Sequence, residues 1–135
     1  MTRATLIAAI TAYLEDVYAG PVAIHPQVST ETLAPPYMII EVEDGEELYP
    51  GQVEIWSLPL KIGVAHDADA TTAAAAEQQA AAIFALLEDP APLFASSSAT
   101  IVWSALERQS ISARVEETRW FHIASYTAIV APPAG

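Results

Sequence analysis

From Val53 to His66 the chain alternates. Trp56, Leu58, Leu60, Ile62 and Val64 occupy one set of positions, and Ser57, Pro59, Lys61, Gly63 and Ala65 the other. Successive side chains of a strand point to opposite faces, so this pattern predicts a long strand with one buried side. At Asp67 the period changes. From about Thr71 to Glu88 the apolar Ala76, Ala80, Ile83, Phe84 and Leu87 recur at helical spacing, which predicts a helix of roughly five turns stopped by Glu88-Asp89-Pro90.

Leu6, Ile10, Tyr13, Leu14 and Val17 repeat at helical spacing and predict a first helix from Thr5 to Tyr18, with Thr2 as N-cap and Gly20-Pro21 as its stop. Val22 to His25 reads as a short strand ended by Pro26, followed by a polar link through Ser29, Thr30 and Glu31. Tyr37 to Glu43 places Met38, Ile40 and Val42 on one face and predicts a second strand; an acidic turn from Glu43 to Gly51 leads into the long one. After a loop rich in Pro and Ser, Thr100 to Gln109 and Arg119 to Val130 read as strands. The last is apolar on both sides, with Trp120, Ala124, Tyr126 and Val130 against Phe121, Ile123 and Ile129. That predicts a place in the middle of its sheet or a covering partner. Ser110 to Thr118 is long for a hairpin loop, so the strands either have a long connection or extend into an arm.

These elements predict an α+β fold: a single domain over residues 1–135, with a mostly antiparallel or mixed β-sheet flanked by two helices. A C-terminal β-hairpin is expected to protrude, and residues 131–135 form a loose tail. At 135 residues and 53% hydrophobic, the chain has ample material for one core. Charges, Pro or Gly interrupt every apolar run before it reaches a membrane span. The opening Met1-Thr2-Arg3 leads into an amphipathic pattern and Glu15-Asp16, which is not expected of a signal peptide. Cysteine is absent, so neither a disulfide nor a thiolate zinc site can form.

The net charge of −12 is unevenly spread: residues 1–98 carry 14 acids and 2 bases, residues 99–135 carry 3 of each. Nucleic-acid binding needs a basic surface to displace counterions, and an acidic body discourages adsorption to anionic membranes. Both partner classes are therefore disfavoured. The densest acidic run is Glu41-Val42-Glu43-Asp44-Gly45-Glu46-Glu47, which lacks the alternating pattern of a calcium loop. It reads either as a solvated turn or as the complement of a basic patch on another copy. Arg108, Arg114 and Arg119, three of the five bases, supply such a patch within twelve residues. Two different surfaces of identical subunits meeting in this way form a heterologous contact, which closes into a ring if the rotation permits. Glu41, Glu43, Asp44, Glu46, Glu47, Arg108, Arg114 and Arg119 are accordingly expected at a subunit interface or facing a ring's lumen.

No catalytic, cofactor-binding or metal-binding residue is assigned. His25, His66 and His122 stand far apart in sequence, outside any spaced ligand motif, and are expected to be partly buried or interfacial. In His66-Asp67-Ala68-Asp69 the acids fit a helix N-terminus, where unpaired N–H groups favour negative charge; the alternative is a cation site or proton transfer. Ser96-Ser97-Ser98 lacks the glycines of a nucleophile elbow, and the five glycines of the chain form no phosphate-cradling loop. Trp56, Trp103 and Trp120 have no interleaved bases and read as core or interface rather than as base-stacking platforms.

The order of elements, with Val22-Ala-Ile-His25-Pro-Gln27 followed by Ala34-Pro-Pro-Tyr37-Met-Ile-Ile-Glu41, then the acidic turn, long strand, Ala-rich helix and closing strands, resembles the tail terminator (tail completion) proteins of long-tailed bacteriophages and phage-like gene transfer agents. The resemblance spans nearly the whole chain and rests on element order rather than a diagnostic motif. It implies a non-enzymatic virion protein at the head–tail junction, assembled in the bacterial cytoplasm without cofactors. Members form hexameric rings that cap the tail tube, stop its growth and join it to a neck or head-completion protein. Double-stranded DNA passes through the lumen without specific binding, and acidic walls that do not grip phosphates suit that passage. Other readings are a tail-tube or other neck subunit, an acidic inhibitor that mimics DNA, and a small enzyme using His66 with Asp67 or Asp69. Mimicry requires carboxylates spaced along a face, whereas here they bunch in loops and at helix ends.

Overall fold

The computed structural model describes residues 3–25 and 34–133. Element order is α1 (Arg3–Val17), β1 (Ala23–His25), β2 (Tyr37–Val42), β3 (Glu46–Tyr49), β4 (Val53–Asp67), α2 (Ala73–Ala85), α3 (Ala91–Ser96), β5 (Val102–Glu116) and β6 (Arg119–Ala131). The fold is α+β. Six strands form one mixed sheet in the order β1-β2-β4-β6-β5, and β3 continues the β2 side of β4 further along. β1 is parallel to β2, and the other pairings are antiparallel. The expected Thr2 cap, the Pro26 stop, the Ser29–Glu31 link and the last two residues of the tail lie outside the described residues.

Strand alternation places the core. In β4, Leu58, Leu60, Ile62 and Val64 face the helices together with Met38, Ile40 and Val42 of β2 and Ala124, Tyr126, Ala128 and Val130 of β6. Leu6, Ile10 and Leu14 of α1 and Ala80, Ile83 and Phe84 of α2 close over them, all buried. Removing each large aliphatic side chain from water contributes about 1.5–3 kcal/mol, so this layer drives the fold. β6 lies between β4 and β5; its Ala124, Tyr126, Ala128 and Val130 are buried under the helices, while Phe121, Ile123 and Ile129 on the opposite face are half-buried.

The structure differs from the sequence expectations at three places, and at Ser110–Thr118 it takes the second of the two expected forms, strands extended into an arm. The stretch 43–51 is not only a turn: Glu46 and Glu47 pair with Ser57 and Trp56, making β3. Three helices are present among the described residues rather than two, because α3 forms within the Pro- and Ser-rich loop. Its end is closed by side-chain bonds from Ser96 and Ser97 to the Leu93 carbonyl and from Ser98 to that of Ala95. Ser110 to Glu116 continues β5, leaving a two-residue turn in which Glu117 takes a φ of 54°. The C-terminal hairpin is thus a long extension, exposed at every β5 position from Glu107 onward, although its inner strand stays paired to β4 as far as Arg119. Finally, α2 is capped by Thr72, whose hydroxyl accepts from the Ala75 N–H at 3.2 Å; neither Asp67 nor Asp69 provides this cap.

Candidate functional site

The acidic run lies at the end of β2, in the turn that follows and in β3. Glu41 pairs across the strands with Lys61, whose ammonium lies 3.4 Å from the Glu43 carboxylate; Asp44 meets Arg3 at 3.4 Å. Between them Gly45 packs so tightly that an added Cβ would strike the backbone carbonyl of Ser57. Glu46 and Glu47 follow on β3, and nearby Glu54 accepts from the Trp56 indole N–H at 3.1 Å, which holds its carboxyl below the usual range. The acids therefore crowd one margin of the sheet, near the start of β4.

The three arginines do not form one patch. Arg108 pairs across the strands with Tyr126 on the helix-bearing face and bonds to Glu88 after α2. Arg114 and Arg119 are on the helix-free face: Arg114 lies 5.8 Å from the Phe121 ring centroid and 3.4 Å from Glu116, while Arg119 bonds to the Tyr37 hydroxyl at 2.8 Å. Two of the expected interface residues, three strands apart, line one feature of this face. Glu41 and Arg114 rim a shallow basin of about 120 Å³ on this face, floored by Gly63 and Ala65 and flanked by Ile39 and Ile123.

Strand geometry separates the His66-Asp67-Asp69 constellation. His66 points under α2, where Gln79 Oε1 lies 2.7 Å from its Nε2; Asp67 accepts from the Asp69 N–H at 2.9 Å in a local turn. The register instead brings together two histidines that the sequence does not link. Val64 pairs with His122 and His66 with Trp120, so both imidazoles sit on neighbouring strands beneath the helices. Both are buried, and neither Nδ1 has a hydrogen-bond partner. Burial, and then the nearby His66, push His122 below its ordinary pKa, with Glu77 opposing them. No group of three or more metal-ligating side chains lies among the described residues.

The tryptophans serve the fold. Trp103 stacks on Phe94 at 4.9 Å and donates to Ser97 Oγ at 2.8 Å, Trp120 donates to the Thr71 carbonyl, and Trp56 packs against the core. No helix among the described residues is long and apolar enough to cross a membrane.

Neither a protein-family model nor a curated protein matches the chain. Among solved structures, it is similar to a chain from the virion of a native gene transfer agent (GTA) particle. The TM-score is 0.65 at 20% identity, covering 93% of this chain and 94% of the other. At that identity the likeness establishes a shared fold, over essentially the full length of both chains.

Proposed function

We propose that this chain is a structural subunit of a phage-like particle and, within that class, a tail terminator. Copies close into a ring, a hexamer by the family resemblance, that caps the tail tube, ends its growth and joins it to the neck or head-completion protein. DNA passes through the lumen. The observation that supports this reading is the fold likeness to a chain of a gene transfer agent virion, which covers 93% of this chain and 94% of the other. The net charge of −12 supports it, since a wall that repels phosphates lets DNA slide. Glu41, Glu43, Asp44, Glu46, Glu47, Arg108, Arg114 and Arg119 are assigned to the subunit boundary or lumen. The particle's head–tail junction is the corresponding location.

A tail-tube or other neck subunit of the same kind of particle draws equal support from the fold likeness. Electron microscopy of the purified protein separates these readings. Single rings that do not stack support the terminator; tubes of indefinite length assign the chain to the tube; dispersed monomers at every concentration remove the ring.

A further inference from the structure

Two edges of the sheet stay open at the same height. Among the described residues β1 pairs only with β2, and β5 only with β6. Traced from strand to strand, the register sets Ile24 level with Met38, Val64, His122 and Ala113. Ala23 is likewise level with Arg114, and His25 with Ser112. The irregularities of β5 lie before this stretch, and Ser110 to Glu116 runs in unbroken register. Regular open edges invite pairing.

Direction and hydrogen-bond phase agree. β1 runs with β2 and hence against β4, whereas β5 runs with β4, so β1 and β5 are antiparallel. The Ala23 N–H donates to the Pro36 carbonyl at 3.2 Å, so Ala23 and His25 turn their main-chain groups towards β2 and Ile24 turns its own outward. Alternation across the antiparallel ladders then directs Val64 to β6 and Phe121 and Ile123 to β5, which leaves the groups of Ile111, Ala113 and Val115 on the open side. Ile24 and Ala113 thus present outward N–H and C=O groups at one level. A phase difference of one residue would have set an outward residue against an inward one.

The side chains match as well. Ile24 packs against the core on the helix-bearing face, which α1 covers at the β1–β2 end. Ala113 lies on the same face, across from His122, between Ile111 and Val115, which are 48% and 52% exposed. β1 carries no acid, and Ser110 to Glu116 hold one base and one acid, so the two edges do not oppose like charges.

We propose that the β5 edge of one copy, over Ile111 to Val115, pairs antiparallel with β1 of a second copy, with Ala113 opposite Ile24. Main-chain hydrogen bonds make the join, as in strand addition, and the second copy's α1 comes alongside Ile111 and Val115. The pairing needs no slide along the strands. It uses two different edges, so each copy keeps one of each for its next neighbour, and the joins close into a ring when the turn per copy divides a full circle. Two β5 edges pairing with each other would instead end at two chains. The proposal rests on the ring reading above and specifies its seam.

The absence of cysteine makes disulfide trapping specific. His25→Cys with Ser112→Cys sets two thiols on the helix-free face at a non-hydrogen-bonded level, where antiparallel Cα atoms lie about 4.5 Å apart, within disulfide reach. Inside one chain, four strand spacings, roughly 19 Å, keep them apart. Ala23→Cys with Arg114→Cys repeats the test at the next such level, where both positions are exposed. After mild oxidation of the purified protein, each double variant should give a ladder on a non-reducing denaturing gel that ends at the ring size, and the single variants none. Oligomers that persist in light scattering with no ladder from either double variant would overturn the edge pairing and leave the ring intact. Disulfide dimers from Ala113→Cys alone would also overturn it, since they mark two β5 edges meeting. Monomers throughout would remove both.

Discussion

Arg119, at the tip of the C-terminal hairpin, donates from Nη1 to the Tyr37 hydroxyl at 2.8 Å and holds its guanidinium 5.5 Å from the centroid of the same ring. The contact ties β6 to β2 across the end of β4, between residues 82 positions apart in sequence. Arg119 is thus a tertiary clamp as well as a candidate interface charge. Arg119→Ala should cost about 1 kcal/mol in urea unfolding, from the lost hydrogen bond and cation–π contact. Arg114→Ala, at an exposed ion pair and an exposed contact with the Phe121 ring, should cost less, about 0.5 kcal/mol. Equal effects from the two would contradict this division of roles.

Thr72, rather than the neighbouring acids, satisfies an open N–H at the start of α2. Thr72→Ala should destabilise the protein by about 1 kcal/mol. Asp69→Asn should cost only a few tenths, since it alters no more than the charge near the helix dipole. Thermal melts of the two variants check this, and a larger effect at Asp69 would reverse the assignment.

His122 links stability to mild acid. Its folded pKa lies below the ordinary 6.5, because burial and His66 disfavour the imidazolium more than Glu77 favours it. The unfolded chain therefore takes up the proton first as pH falls. Stability is fully present above about 6.5 and is lost as pH drops from there towards the folded value. The urea midpoint should fall between pH 7.5 and 5.5, and His122→Leu should flatten that fall. An unchanged slope in the variant would show that His122 is not the group responsible.

Tyr126 acts at the other end of the scale. Burial is the main cause that pushes its phenol up to about 12 from 10.0, and its hydroxyl has no hydrogen-bond partner. The unfolded phenol ionises first, so stability is present below pH 10 and declines as pH rises towards 12, by about 2 to 3 kcal/mol in all. Tyr126→Phe should remove that decline. It should be close to neutral at pH 7, since the hydroxyl it deletes is unsatisfied. Alkaline unfolding monitored by circular dichroism tests both expectations.

Much of the fold could be read from the sequence because the apolar period was uninterrupted. The alternation from Trp56 to Val64 defined β4, and the Ala76–Leu87 spacing defined α2, each within a few residues of the observed ends. β3 was hidden because its strand carries Glu46, Glu47 and Leu48, held by main-chain pairing to β4 rather than by a buried face. α3 was hidden by the prolines and serines that begin and close so short a helix. The site was less legible. Charge counting picked out the acids and arginines, but only the register shows that Arg108 and Arg114 emerge on opposite faces. The His66–His122 neighbourhood likewise follows from the β4–β6 pairing, for which no local signal exists.

Self-association around an open centre is the claim on which the functional reading depends, and native mass measurement of the purified chain tests it most directly. The account predicts one discrete assembly at six times the 14.4 kDa chain mass, with no series of larger species. A single peak at the mass of one chain, persisting at high concentration and in the presence of magnesium, would contradict it.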